Sequence, residues 1–206
     1  MRGVINMQKA KIKECASAIR KIKINKVSDI TMNEADSMAT LWHESNHNRH
    51  KIPEGVAWKE MTDIERSDME MMNEFVSRKT LSEFYRNLGA IDTPWKSFEF
   101  TRESTGYNSM VRAYDYLIDK FNLNRGEVLK LARVGLFNGN YCKQEMNAVN
   151  ALMEAGLKDF KRLDEKNIGK SQVNELVKYC RKARYMVGDE IIEKIDNYLI
   201  TNKILK

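Results

Sequence analysis

Apolar residues recur along this chain at helical rather than strand spacing. Met110, Val111, Tyr114, Leu117, Ile118 and Phe121 stand at i, i+1, i+4, i+7, i+8 and i+11, one face of a 3.6-residue period. The same period carries Val128, Leu129, Ala132 and Leu136, then Cys142, Met146, Val149, Leu152 and Met153. It returns in Val173, Leu176, Val177, Cys180 and Ala183, and finally in Ile191, Ile192, Ile195, Tyr198 and Leu199. Nearer the N-terminus, Ile5, Ile12, Cys15, Ala16, Ile19 and Ile22 give residues 4–26 an amphipathic face. Ala35, Met38, Ala39, Leu41 and Trp42 form a second stripe, and Met69, Met72, Phe75 and Val76 a third. The pattern predicts an all-α protein of about eight helices in two packed helical halves. Alternation at Phe98 and Phe100 allows at most one short strand pair near 95–101.

Punctuation between the stripes sets the expected boundaries. Thr31 or Asn33 is placed to cap the second helix, and Thr62-x-x-Glu65 and Thr80-x-x-Glu83 both have capping-box spacing. Gly89, Gly139 and Gly156 mark stops, and the last helix is expected to follow Gly188. Residues 1–90 are expected to form an N-terminal helical region, 91–107 an irregular linker or loop, and 108–206 a C-terminal helical domain. The Ala132, Gly135, Leu136 spacing, with Gly156-Leu157 further on, resembles a helix-turn-helix exit. Helix packing with glycine C-caps is the preferred account. The methionines Met61, Met69, Met71 and Met72 read as gap-filling core before they read as a partner surface.

Charge changes this picture more than composition does. The 206 residues are 42% hydrophobic and 31% charged, as in ordinary globular proteins, and no apolar run is long enough to span a bilayer. Cys15, Cys142 and Cys180 are far apart and odd in number, which argues for a reducing, cytoplasmic setting rather than a disulfide framework. Abundant Lys, Asn and Ile fit a phage or a low-GC bacterium. The net charge of +6 is unevenly spread. Residues 1–26 hold eight Lys/Arg against Glu14 alone, residues 60–74 six acids against Arg66, and residues 158–184 nine bases against four acids. Such asymmetry points to nucleic acid, a nucleoprotein complex or an acidic protein as partner, or to internal matching of the blocks. The candidate phosphate-contacting bases are Lys9, Lys13, Arg20 and Lys21 on the first helix, with Lys178, Arg181, Lys182 and Arg184 near the other end. The first helix has no Trp or Phe, so a membrane partner is not expected.

The three histidines cluster in Leu41-Trp42-His43-Glu44-Ser45-Asn46-His47-Asn48-Arg49-His50. His43, Glu44 and His47 spell H-E-x-x-H, the pattern in which two imidazoles one helical turn apart hold zinc and the glutamate takes a proton from water. His50 is a third candidate ligand. So is Glu74 in Asn73-Glu74-x-x-Ser77, which resembles the downstream glutamate of gluzincin peptidases. Those enzymes bind substrate along a sheet edge, and this chain offers almost no strand. The competing account has His43 and His47 bracing a helix C-terminus, where the macrodipole favours a cation.

A further resemblance covers residues 33–78. Ala39-x-x-Trp42-His43-Glu44-x-Asn46-x-x-Arg49, followed by Trp58-x-x-Met61-x-x-x-Glu65-Arg66, is similar to the ryanodine-receptor-repeat (RyR) domain. The resemblance implies a ligand-recognition surface, with nucleotides as the suggested ligand, lined by Trp42, His43, Glu44, Asn46 and Trp58. Taken together, the chain is expected to be a non-enzymatic intracellular regulatory or accessory protein that binds nucleic acid or a nucleoprotein complex through basic helices. An RyR-like nucleotide- or protein-binding module and a zinc-dependent hydrolase are the alternatives, and zinc is the only cofactor in view.

Overall fold

The computed structural model describes residues 7–49, 61–94, 96, 106–186 and 189–205, with only the backbone of Tyr141. Among these residues the fold is all-α, as expected. The helices are α1 (Lys9–Lys23), α2 (Met32–His47), α3 (Asp63–Lys79), α4 (Leu81–Asn87), α5 (Tyr107–Lys120), α6 (Arg125–Asn138), α7 (Gln144–Glu154), α8 (Lys170–Lys182) and α9 (Glu190–Thr201). Short 3₁₀ turns join several of them, and the one β-type pairing among the described residues is the isolated Lys161–Asn167 bridge. The expected strand pair near 95–101 lies outside the described residues, Lys96 excepted. No described helix is long and apolar enough to cross a membrane.

The chain divides into two units, residues 1–50 with 73–103 and residues 51–72 with 104–206. In the first unit, α1 lies along α2. Cys15, Ala18, Ile22, Ile30, Ala35 and Met38 are buried there with Leu81 and Tyr85 of α4. Thr31 caps α2 through the Glu34 N–H at 3.3 Å, while the Glu34 carboxylate accepts from the Thr31 N–H at 2.7 Å. Ile12 is 53% exposed and Ala16 is also exposed, so the buried face of α1 is rotated from the expected one. The reason is polar. Lys11 reaches Asp36 (2.5 Å) and Thr40 (3.0 Å), Ser37 donates to Glu14, and Lys21 reaches Glu34 (2.7 Å). Those contacts turn Ala18 inward and Ile12 outward.

In the second unit, the α5 stripe is buried as its period requires, and Tyr114 donates to the Ala148 carbonyl at 2.8 Å. Val173, Leu176, Val177 and Cys180 of α8 and Ile191, Ile195 and Leu199 of α9 are buried in the same unit. Met69, Met71 and Met72 are 0% exposed, so this methionine run is core. Gly135 lets α7 approach α6: a Cβ there would stand 1.8 Å from the Asn147 Oδ1. Asn147 in turn donates to the Ala132 carbonyl at 3.1 Å. The glycine of the helix-turn-helix-like spacing thus serves helix packing.

Candidate functional site

The bases named from sequence fall into two groups. On α1, Lys9, Lys13, Arg20 and Lys23 are exposed, and Lys26 follows just beyond the helix end. At about 100° per residue, Lys9, Lys13, Arg20 and Lys23 share roughly 80° of arc, and they span about 21 Å of helix. They face away from Cys15, Ala18 and Ile22. None of the five makes an ion pair with any described residue. Lys21 is different: it is bound to Glu34 and to the Asp29 carbonyl (2.8 Å). Burial opposes ionisation of Glu34, yet hydrogen bonds from Lys21, Ser17 and the Thr31 N–H outweigh it and hold that carboxyl down at about 2.

Of the C-terminal bases, Lys178, Arg181 and Arg184 are engaged within their unit, while Lys182 is exposed. Arg181 grips both oxygens of Asp68 at 2.7 and 3.0 Å; the guanidinium side chain is 12% exposed and the carboxylate 2%. Lys178 pairs with Glu175 at 2.6 Å, and the Lys182 ammonium lies 5.6 Å from the Tyr179 ring centroid. Arg184 lies over Tyr107 (4.8 Å) and Tyr185 (5.7 Å). It lines an open cleft of about 390 Å³ with Asp63, Arg66, Ser67 and Glu70. Those acids set a mixed rather than a cationic potential around Arg184. Much of the acidic 60–74 block is likewise used: Asp63 pairs with Arg66, Glu65 caps α3 through Thr62, and Asp68 takes Arg181.

The histidine stretch forms a polar seam between α2 and the last turns of α3. His43 Nδ1 meets Glu74 Oε2 at 2.5 Å, and the other Glu74 oxygen accepts from Arg78 Nε. Burial works against the Glu74 charge, but His43 and Arg78 hold its carboxyl at about 2. His43 Nε2 and His47 Nε2 stand 2.8 Å apart with the rings edge to face. Asn73 donates to the His43 carbonyl at 3.1 Å, and Asn46, 0% exposed, donates to Ser77 at 2.9 Å. Trp42 stacks on Phe84 with centroids 4.7 Å apart and donates its indole N–H to Thr80 at 2.9 Å. Glu44 is half-buried beside His43 on α2. His50 and Trp58 lie outside the described residues.

Each letter of Asn73-Glu74-x-x-Ser77 therefore has a partner on α2. Sequence reasoning missed Arg78 and Thr80 in this seam, and Lys23 on the basic stripe. Lys23 was findable, since it stands three residues after Arg20 on the same face. Burial pushes the Cys15 thiol up to about 11 and raises Cys142 and Cys180 as well, away from thiolate character. The chain matches no protein-family profile, no curated protein and no solved structure.

Proposed function

We propose that the protein binds nucleic acid through the exposed face of α1, as a regulatory or accessory factor rather than as a catalyst of a reaction. The observation that carries this reading is the sorting of charge. Lys11 and Lys21 are drawn into pairs with α2, whereas Lys9, Lys13, Arg20 and Lys23 stay exposed and without an ion-pair partner among the described residues. A row of cations about 21 Å long, open to solvent, suits a run of phosphates. The stripe has no aromatic residue for base stacking and no Asn or Gln for reading base edges. Binding is therefore expected to follow the backbone of a duplex with little sequence preference. The RyR-like nucleotide surface has less support, because Asn46 is buried on Ser77 and the Trp42 N–H is taken by Thr80.

The test is affinity for a short DNA duplex as a function of salt. With about four phosphate contacts, the slope of log K against log salt is about −3.6, so affinity falls about 100-fold or more between 50 and 200 mM. Replacing Lys9, Lys13 and Arg20 together by Gln brings the slope to about −1. Binding that ignores salt, or that survives the triple replacement unchanged, rejects this function.

A further inference from the structure

The seam between α2 and α3 does something the basic stripe does not explain. His43 turns Nδ1 to a carboxylate, which can only accept, so Nδ1 carries a proton and donates it to Glu74. In the neutral ring this leaves the His43 Nε2 lone pair aimed at His47 Nε2, 2.8 Å away. A hydrogen on His47 Nε2 fills that gap in the metal-free protein, and the two Nε2 atoms converge on one point as two imidazole ligands of a single ion do. The arrangement also supplies what a metal-bound imidazole commonly has behind it, an outer carboxylate that fixes the tautomer and raises ligand basicity. Glu74 is itself held by Arg78, so the outer shell is braced as well. The two rings stand one turn apart on a single helix, so α2 fixes their separation.

We propose that His43 and His47 bind one divalent transition-metal ion of the zinc class through their Nε2 atoms, with Glu74 as the outer carboxylate that orients His43. Bond lengths of about 2.0–2.1 Å in tetrahedral geometry set the two nitrogens about 3.3 Å apart. The rings must part by about half an ångström from their hydrogen-bonded distance of 2.8 Å, a small rotation of each side chain. The hydrogen between the two nitrogens leaves Nε2 when the metal enters, and the neutral His47 ring then carries it on Nδ1. Imidazole donors suit Zn²⁺ and Co²⁺ over Mg²⁺ or Ca²⁺, which take oxygen ligands. The inference stands apart from the nucleic-acid reading, since no α1 stripe residue takes part.

The experiment uses the full chain stripped with a chelator. Co²⁺ is titrated in and followed by its visible d–d absorption, and Zn²⁺ affinity is measured by competition with a chromophoric chelator. The expected result is one Co²⁺ per chain, displaced by one equivalent of Zn²⁺. His47→Gln is expected to weaken Zn²⁺ binding at least 100-fold, and Glu74→Gln by 10- to 100-fold. His47→Gln leaves the Glu74–His43 contact in place, so its circular-dichroism melt shows whether the variant is folded. Glu74→Gln provides the second, independent arm. A wild-type chain that takes up no Co²⁺, or Zn²⁺ affinity unchanged in folded His47→Gln, overturns the proposal.

Discussion

Replacing Arg181 by Met tests whether this base belongs to the fold or to a binding surface. Arg181 lies across 113 residues of chain from Asp68 and satisfies both of its oxygens, and the carboxylate is 2% exposed. Burial, with Glu145 and Glu65 adding to it, pushes Asp68 up to about 6 in spite of Arg181. Between about pH 4 and 6 the folded protein thus holds a proton on Asp68 that the unfolded chain has released. This residue's contribution to stability is largest below pH 4 and is lost as pH rises through 6. Removing Arg181 pushes the carboxyl higher still. Breaking a buried pair from one side costs about 3–5 kcal/mol, and Asp68 can limit the loss by keeping its proton, so about 3 kcal/mol is expected at pH 7. In a unit of this size that lowers the melting temperature by about 10 °C. Melts followed by circular dichroism at pH 5, 7 and 8.5 check it: the deficit should be smallest at pH 5 and greatest at pH 8.5. Arg181→Met with Asp68→Leu should recover most of the loss. A melting temperature within 2 °C of wild type at pH 7, or a deficit equal at pH 5 and 8.5, refutes the assignment.

Two further outcomes follow from contacts within single units. Glu34 ionises far below its unfolded value of 4.5, so its pairing stabilises the protein above that pH and is lost as pH falls toward 2. The drop is worth about 3 kcal/mol at most; an acid titration of stability in Lys21→Met should show a smaller one, and an unchanged profile counts against the pair. Gly135→Ala should destabilise the wild type by displacing the Asn147 amide, yet stabilise an Asn147→Ala background by up to about 1 kcal/mol through helix propensity. Denaturant melts of the four proteins measure this coupling, and additive effects would deny it.

The helix pattern was legible because burial in an α-helix imprints its own period on the sequence. The α5 and α9 stripes, the Thr31–Glu34 and Thr62–Glu65 boxes and the stop at Gly89 (φ +93°) all appear where the letters place them. Thr80-x-x-Glu83 has the same letters and a different fate. It follows α3 without a break, and its hydroxyl is committed to the Val76 carbonyl (2.7 Å) and the Trp42 indole. A cap needs a free hydroxyl, which spacing alone does not reveal. The α1 face was misassigned for a related reason, since Lys11, Glu14 and Lys21 turn toward partners that lie 8 to 29 residues away. Tertiary pairing of this kind leaves no local signature. It also decided which of the sequence-named bases stay open to solvent.

What remains on α1 after internal pairing is poorly suited to a free helix. Its first turn has no acid, its Gln8 N-cap makes no side-chain hydrogen bond, and Lys9 stands at the positive end of the macrodipole. Lys9, Lys13, Arg20 and Lys23 repel one another along one face, with neighbours closer than or near the screening length of about 8 Å at physiological salt. Each of these terms is unfavourable by a few tenths of a kcal/mol; Arg20 and Lys23 recover part of it at the negative end of the macrodipole, and a row of phosphates relieves the repulsion between the bases and the charge at Lys9. On α2 and α3, by contrast, local choices agree with the fold: Thr31 and Thr62 cap, and Glu34 and Glu74 are paired. On α1 the bases without an ion-pair partner share one exposed face, and local conflict of this kind is where a binding surface is expected.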